Sequence, residues 1–181
     1  MHYNCKQIIH VVLLSAFTII SLGGCKQPEP VDLTSLIPHP DKYDVRIIRD
    51  SWGVPHIYGK TDADCAYGLG WAQIEDDFDN SYATFLMDRG KYAGMAGRSG
   101  APFDYLFYLF RFSDIVEREY EKQLSAETRA VCEAYADGIN HYLALHPGKV
   151  DASLLPVTGK DVVTGFTMRT PFFFGMEKQV R

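Results

Sequence analysis

A short turn between two β-prone segments places the strongest constraint on the fold of this chain. Residues 50–53 read Asp-Ser-Trp-Gly, with Asp first and Gly fourth, as a type I turn prefers. The turn joins Val45–Arg49 to a return strand that includes His56, so we predict a β-hairpin. Both faces of the first strand carry an apolar residue, which predicts cover on each face. Two strands are marginal in water and few further strands follow, so we expect the remaining sheet to come from a segment missing here.

The hairpin leads directly into a helix whose glycines predict close packing. Thr61 has the residue type of an N-cap, and acidic residues follow it in the first turn. Apolar residues then recur at helical spacing, which predicts one long helix over 61–87. Gly68 and Gly70 each cost about 1 kcal/mol relative to alanine in a helix interior. Their presence indicates that another element approaches this helix closely.

The acidic residues and histidines of these elements have structural interpretations. Four carboxylates cluster in the middle of the predicted helix: Glu75, Asp76, Asp77 and Asp79. A calcium site is one interpretation, but the spacing is not that of an EF-hand loop, and we predict a solvated helix face. His56 has the residue type of a general base, but no nucleophile lies near it in a recognisable arrangement. We therefore predict a structural role for His56. On the later helix that ends at 146–148, we predict exposed positions for His141 and His146.

The middle of the chain alternates glycine-rich, aromatic and helical patterns. Residues 91–102 contain three glycines and predict a flexible connection. The aromatic run at 104–112 is typical of a core or a subunit interface. Ser113 and Ser125 have the residue type of N-caps, which predicts helices beginning beside them. The second of these helices ends where His-Pro-Gly stops it at 146–148.

The N-terminus has the pattern of an export signal. An almost wholly apolar segment is followed by Leu-Gly-Gly-Cys, which resembles a bacterial lipobox ending at Cys25. We predict that residues 1–24 are a lipoprotein signal peptide and that Cys25 is lipidated. Lipidation would anchor the exported protein to a bacterial membrane, facing the periplasm or the cell exterior. The alternative is an ordinary secretory signal that is cut near Gly24.

Composition and cysteine usage limit the class of protein and the partners that this chain can have. Residues 25–42 are rich in proline and predict an extended tether, and residues 43–181 form the folded region. A hydrophobic content of 46% indicates a globular protein. A net charge of −5 without a basic patch argues against nucleic acid as a partner. Cys65 and Cys132 remain after processing, either as a disulfide or as two buried thiols.

Several motifs follow one another in a fixed order over residues 43–174. They are Arg49-Asp50-x-x-Gly53-Val54-Pro55-His56-Ile57-Tyr58, Tyr67-Gly68-x-Gly70-x-Ala72-Gln73-x-Glu75-Asp76, Gly90 with Gly97, and Tyr135-Ala136-Asp137-Gly138-Ile139-Asn140. Together they resemble the penicillin acylase family of N-terminal nucleophile hydrolases. The chain departs from the family pattern at Asp77, where the family usually places arginine, and this puts a local salt bridge in doubt.

The resemblance implies an α+β fold. The chain would be a mainly helical α-chain portion with an N-terminal β-hairpin, part of an αββα N-terminal nucleophile hydrolase fold. The family precursor is cut into an α and a β chain. Its nucleophile is a serine or cysteine at the new N-terminus of the β chain, and the α-amino group of that residue serves as the base. Residues 43–181 would then be an incomplete α-chain region without catalytic residues, and we expect this chain alone to be inactive.

The resemblance also implies a binding role for the end of the chain. By position, Phe172, Phe173 and Phe174, with Met176, match the family residues that line the acyl pocket, although core packing would also explain them. Glu177 is the nearest match to a carboxylate that helps hold structural calcium.

The predicted reaction is hydrolysis of a linear amide, such as a β-lactam side chain or an N-acyl homoserine lactone. The β chain from the same precursor and a small acyl amide would then be the partners, with the membrane as a third through the lipid anchor. The alternative is a lipid-anchored binding or scaffold lipoprotein without catalysis, or the product of a decayed gene. The two hypotheses differ in whether a downstream Gly-Ser-Asn-like sequence follows, at which a β chain would start with its serine.

Overall fold

The structure, a computed structural model, describes residues 32–148 and 154–175. Its elements are β1 (Val45–Arg49), β2 (Pro55–Gly59), α1 (Asp62–Asp76), α2 (Phe78–Asp88), α3 (Ala93–Ala96), α4 (Ala101–Phe110), α5 (Phe112–Gln123), α6 (Ala126–Leu145) and α7 (Gly159–Phe173). The predicted lipidation site Cys25 and the candidate ligand Glu177 lie outside the described residues, as does Met176. Among the residues described, no helix combines the length and apolar character that crossing a bilayer requires.

The predicted hairpin is confirmed, with β1 antiparallel to β2 and Ile47 opposite Ile57. The Asp50 carboxylate fixes the turn by accepting hydrogen bonds from the backbone N–H groups of Trp52, at 2.8 Å, and Val54, at 3.0 Å. Helix α1 packs against one face of the hairpin. The expected cover on the other face is not found within the described residues, where Ile48 stays exposed.

The single helix predicted over 61–87 is instead two helices, because the chain leaves helical geometry at Asp77. Thr61 caps α1 as expected, since its hydroxyl accepts from the Asp64 N–H and the Asp64 carboxylate accepts from the Thr61 N–H. At Asp77, φ is −140° and ψ is 66°. Its carboxylate accepts from the side-chain amide of Asn80, an alternative to the helical conformation that aspartate often takes. The apolar period continues across this one-residue break, so the pattern did not reveal it.

Helices α1 and α6 approach backbone to backbone, as the glycines of α1 predicted. A Cβ added to Gly70 would lie 2.2 Å from the Tyr135 carbonyl oxygen. In the reciprocal contact, a Cβ on Gly138 would lie 2.1 Å from the Tyr67 carbonyl oxygen. Gly68 faces the hairpin instead, where a Cβ would meet a side chain at 2.7 Å. Helix α1 is therefore held between the hairpin and α6.

Buried apolar side chains form a main core between α1, α6 and the segment before α7. Its buried members are Ile74, Ala136, Ile139, Tyr142, Leu143, Leu155 and Val157. The buried Asn140 amide ties α6 to the last of these by donating to the Val157 carbonyl at 2.7 Å and accepting from its N–H at 2.8 Å. A smaller cluster joins α4, α5 and α7 through Phe107, Phe112 and Met168. The core thus fixes both ends of the segment that leads into α7.

The predicted flexible connection at 91–102 is wrong, because this segment is largely helical. Helix α3 and a short 3₁₀ helix, Gly97–Ser99, occupy it, and α4 begins at Ala101. The Asp104 carboxylate accepts from the backbone N–H groups of Tyr92, at 2.8 Å, and Ala93, at 2.9 Å. A side chain twelve residues away therefore caps α3, and this contact is invisible in local sequence.

The two predicted serine caps have different outcomes. Ser125 is confirmed, since its hydroxyl accepts from the Thr128 N–H at 3.1 Å where α6 begins. Ser113 is not a cap, because α5 begins one residue earlier, at Phe112. The preceding residue, Arg111, takes the left-handed conformation with φ 54° and ψ 45°, and this turns the chain between α4 and α5.

The two cysteines are free thiols, so the disulfide alternative is not realised. Cys65 and Cys132 are both half-buried. Burial raises the pKa of the Cys132 thiol, which disfavours its reactive thiolate. The described structure therefore supports the interpretation of two packed thiols.

Candidate functional site

Helix α7 carries the predicted binding residues, and its first turn is fixed by charge. Thr158 caps the helix, accepting from the Asp161 N–H at 3.3 Å while the Asp161 carboxylate accepts from the Thr158 N–H at 2.7 Å. Arg89 at the end of α2 binds the same carboxylate through Nε and Nη2, both at 2.8 Å. The guanidinium also donates to the carbonyls of Leu154, at 2.6 Å, and Pro156, at 2.8 Å. One arginine thus joins α2, the segment before α7 and α7 itself.

Two opposing effects act on the pKa of Asp161. Burial acts to raise it, but the hydrogen bonds and charge of Arg89 outweigh burial and hold the pKa below its usual range. Asp161 is therefore ionised at neutral pH and remains a strong acceptor for the guanidinium.

A second ion pair, between Asp88 and Arg169, also joins α2 to α7 and lies further along α7. Asp88 is 5% exposed, and its Oδ1 lies 2.9 Å from Nη1 of Arg169. Burial raises the pKa of Asp88 to about 6, although the nearby Arg169 charge acts to lower it. Gly165 leaves room for the pair, because a Cβ there would lie 2.5 Å from Asp88 Oδ2 and 2.6 Å from Arg169 Nη1.

The predicted acyl-binding residues lie together at the end of α7. Phe173 and Phe174 are each 85% exposed, and Phe172 is half-buried. Core packing within the described residues therefore does not account for Phe173 and Phe174. Pro171 lies inside the last turn and removes one backbone donor from the helix. The predicted role of these residues in acyl binding stays a prediction.

Further exposed apolar side chains lie on the hairpin and on α4. On the hairpin they are Ile48, Trp52, Val54 and Tyr58, with Trp52 89% exposed. On α4, the aromatic run divides between buried Phe107 and exposed residues such as Tyr105 and Tyr108. This run is thus partly core and partly surface, and a subunit interface on its exposed side stays a prediction.

The described histidines bond to structural partners rather than to nucleophiles. His56 Nε2 lies 3.3 Å from the Asp50 carboxylate in the hairpin turn, in agreement with the predicted structural role. His141 is hydrogen-bonded to the Tyr67 hydroxyl. His146 Nδ1 lies 2.7 Å from the Tyr142 carbonyl. His141 and His146 are half-buried, so the expectation that both are exposed is wrong.

The acidic residues of α1 are used mainly to hold the hairpin. Arg49 binds Glu75, and its Nη2 lies 2.7 Å from an Asp76 oxygen. The carboxylate of Asp77 instead accepts from Asn80. In the described part of the chain, no group of three or more His, Cys, Asp or Glu residues is arranged to hold a metal ion. A calcium role for Glu177 therefore stays a prediction.

Two cavities lie away from the aromatic end of α7. One of about 480 Å³ is lined in part by Asp88, Arg89, Phe107, Lys160 and Thr164. Another of about 380 Å³ lies beside Lys42 and Asn140. Each cavity contains a paired lysine, Lys160 with Glu117 at 2.8 Å in the first and Lys42 with Asp137 at 2.6 Å in the second.

Sequence reasoning missed both ion pairs between α2 and α7. Asp88 and Arg169 are 81 positions apart in the sequence, and Arg89 and Asp161 are 72 positions apart. No local period or cap motif marks such contacts. The one local signal is Asp88-Arg89-Gly90, and this pattern by itself indicates only the end of a helix.

Comparison with known proteins identifies one family. Residues 44–170 match the model of the penicillin amidase family. Penicillin acylase 2 proenzyme of Pseudomonas sp. strain SE83 is 32% identical over 100 residues, covering 55% of this chain and 13% of that protein. Acyl-homoserine lactone acylase PvdQ of Pseudomonas putida is 27% identical over 146 residues, covering 77% of this chain and 18% of that protein. The chain thus spans less than a fifth of the length of these relatives.

A solved structure has the same fold. A penicillin G acylase from Alcaligenes faecalis superposes with a TM-score of 0.59 at 23% identity, covering 73% of this chain and 74% of that chain. The mainly helical arrangement with one hairpin is therefore part of an N-terminal nucleophile hydrolase fold, as predicted.

Proposed function

Because the chain belongs to the penicillin acylase family, we propose that it is the α-chain part of an enzyme that hydrolyses a linear acyl amide. The match of residues 44–170 to the family model carries this proposal. That match includes most of α7, which ends in the exposed phenylalanines.

The proposed division of labour places the chemistry on a β chain from the same precursor. Its N-terminal serine or cysteine loses a proton to its own α-amino group, whose pKa is near 8, and the oxygen or sulfur bonds to the amide carbon. The C–N bond then breaks as the amine leaves with a proton. Water hydrolyses the acyl-enzyme to release the acid. One relative is named a proenzyme, which supports a processed precursor.

We assign acyl-group binding to Phe172, Phe173 and Phe174. Phe173 and Phe174 are 85% exposed, so most of their apolar surface is free to be covered. Fully burying a phenylalanine side chain yields about 1.5–3 kcal/mol. An apolar acyl group between these rings and the β chain would gain stabilisation of this kind. Penicillin side chains and the acyl chains of homoserine lactones both supply such a group, and the names of the relatives cover both classes.

Two further proposals concern the location of the protein in the cell and a bound calcium ion. We propose that Cys25 is lipidated and holds the exported enzyme at a bacterial membrane, with calcium bound near Glu177 as a structural ion. The intact mass of the chain tests the lipidation of Cys25. The diacylated chain is heavier than a chain that begins at Cys25 without lipid. Calcium titration of the metal-depleted enzyme tests the second. An unmodified N-terminus would contradict the lipidation of Cys25. The absence of saturable calcium binding would contradict the calcium site.

Truncation of the exposed phenylalanines is expected to weaken acyl-group binding selectively. Phe173→Ala and Phe174→Ala should each lower kcat/KM for a long-chain or aromatic acyl anilide by about tenfold or more. Hydrolysis of the acetyl anilide should change little, since an acetyl group buries little surface. The measurement is kcat/KM for a series of chromogenic anilides from two to ten acyl carbons, using the complete two-chain protein.

The matched control is Tyr105→Ala, which removes an exposed aromatic ring from α4 instead of α7. Its kcat/KM values should equal those of the wild type across the series. If both phenylalanine variants behave like this control, the acyl-binding assignment is wrong. If the folded wild-type protein cleaves no acyl amide at all, the proposed reaction is wrong, and the non-catalytic lipoprotein becomes the better reading.

A further inference from the structure

We propose that Asp88 and Arg169 form a positioning pair that sets the enzyme's preference for large apolar acyl groups by anchoring the aromatic end of α7. This inference rests on the proposed function of Phe173 and Phe174. The pair touches neither substrate nor nucleophile in this proposal, and it acts through the helix that bears the phenylalanines.

The spacing along α7 connects the pair to the aromatic residues. Gly165, Arg169 and Phe173 follow one another at intervals of four residues, so they lie on one face of the helix. Each interval corresponds to a rise of about 6 Å. Phe173 therefore lies one turn beyond Arg169, and any shift of Arg169 toward or away from α2 carries Phe173 with it.

Helix α7 has few other attachments near its end. Met168 is buried against Phe107 and Phe112 and provides the neighbouring apolar contact. Beyond Arg169, the Thr170 hydroxyl donates within the helix, to the Phe166 carbonyl at 2.7 Å. Pro171 removes a backbone donor from the last turn. The Asp88–Arg169 contact is thus the last described polar tie between the aromatic end and another helix.

Gly165 shows that α7 is shaped around this contact. A Cβ at this position would lie 2.5 Å from Asp88 Oδ2 and 2.6 Å from Arg169 Nη1. Asp88 Oδ1 is enclosed and lacks a well-directed hydrogen bond among the described residues, although Arg169 Nη1 lies 2.9 Å away. The pair is therefore held mainly by charge, in a space that the missing side chain of Gly165 provides.

The ionisation of Asp88 makes the anchor sensitive to pH. The groups that face it are Arg169 and Asp161 on α7 and Tyr135 on α6, while the neighbouring Arg89 binds Asp161. Burial raises the pKa of Asp88 to about 6. Above this pH the carboxylate attracts Arg169, and below it the protonated carboxyl does not. We therefore expect the preference for long acyl groups to fall as the pH drops through 6.

A ratio of two kcat/KM values separates the pH dependence of the acyl-group preference from the pH dependence of the amide hydrolysis itself. The nucleophile's amino group also titrates, but it affects short and long acyl amides alike. We therefore divide kcat/KM for the octanoyl anilide by kcat/KM for the acetyl anilide, between pH 5 and 8. In the wild type this ratio should fall at low pH with a midpoint near 6. In Asp88→Asn it should be about tenfold lower at pH 7.5 and independent of pH.

Two further variants keep the test decisive if Asp88→Asn fails to fold. Arg169→Lys preserves the charge and should restore most of the wild-type ratio, whereas Arg169→Met should lower it about tenfold. Lys160→Met is the matched control, since it removes the exposed pair with Glu117 from the same helix. Its ratio should equal that of the wild type.

The outcomes separate this inference from the proposed function. If active variants at Asp88 and Arg169 keep the wild-type ratio and its pH dependence, the positioning role is overturned and amide hydrolysis stands. A ratio that falls equally in Lys160→Met also overturns it, because the effect would not be specific to this pair. If the wild type hydrolyses neither anilide, the proposed function fails, and this inference fails with it.

Discussion

Gly138→Ala is expected to lower the free energy of unfolding by about 3 kcal/mol or more. The added methyl group would lie 2.1 Å from the Tyr67 carbonyl oxygen, a backbone atom that no side-chain rotation can move away. Relief requires α1 and α6 to separate. Separation would open the core beside Ile74 and Ile139 and would break the reciprocal contact at Gly70.

Urea denaturation of the complete protein, followed by circular dichroism, measures this loss. Gly94→Ala is the matched control, because an added Cβ there meets no heavy atom within 4 Å. This control should change stability by about 1 kcal/mol or less, since alanine is the better helix former. Equal denaturation midpoints for the two variants would contradict the close packing of α1 against α6.

Arg89→Met is expected to cost about 3 kcal/mol, because it leaves a carboxylate and two backbone carbonyls without their donor. The variant keeps much of the side-chain volume but leaves the half-buried Asp161 carboxylate without its guanidinium. It also leaves the Leu154 and Pro156 carbonyls without this donor. Thermal unfolding against wild type measures the loss, and Lys160→Met should cost about 1 kcal/mol or less because its pair is exposed.

The loss in Arg89→Met should depend on pH. In the wild type the pKa of Asp161 is lower when folded than when unfolded. Its contribution to stability is therefore present above the unfolded pKa of about 4 and is lost as pH falls through the folded pKa. Without Arg89, burial acts to raise this pKa and only the hydrogen bonds from Thr158 still act to lower it, so the pKa of Asp161 is higher than in the wild type. The variant should thus be most destabilised relative to wild type at pH 7 and least at pH 4. A loss that does not vary with pH would contradict this role of the pair.

Local signals predicted the elements whose cause is local. The turn at residues 50–53, the Thr61 cap and the Ser125 cap each depend on residues within a few positions of one another, and all three are present. The glycines of α1 were also informative, because a costly residue in a helix interior has to be offset by packing. The break at Asp77 was missed since its cause, one aspartate and Asn80, leaves the apolar period intact.

The features that the sequence did not predict depend on contacts between residues far apart in the chain. Helix α3 depends on Asp104, and α7 is tied to α2 by Arg89 and by Asp88, whose partners lie far away in sequence. No pattern of period two or 3.6 encodes such pairs. The candidate acyl-binding residues were predicted from the family resemblance rather than from periodicity. Their exposure became visible only in the structure, where Phe174 extends from the end of α7.

The exposed apolar side chains fit a chain that is one part of a larger protein. Trp52 on the hairpin and Phe173 on α7 each present nearly a whole aromatic side chain to solvent. Aromatic side chains are enriched at protein interfaces relative to the rest of the surface. We expect the β chain to cover the outer face of the hairpin and to complete the acyl pocket.

The most direct test of the central proposal is the intact mass of whatever copurifies with this chain. The gene product is expressed with its natural downstream sequence, purified and measured by denaturing mass spectrometry. We expect two chains, the second beginning with serine or cysteine as predicted for the nucleophile. A single species that retains every residue encoded after Arg181, or this chain alone without a companion, would contradict a two-chain amide hydrolase.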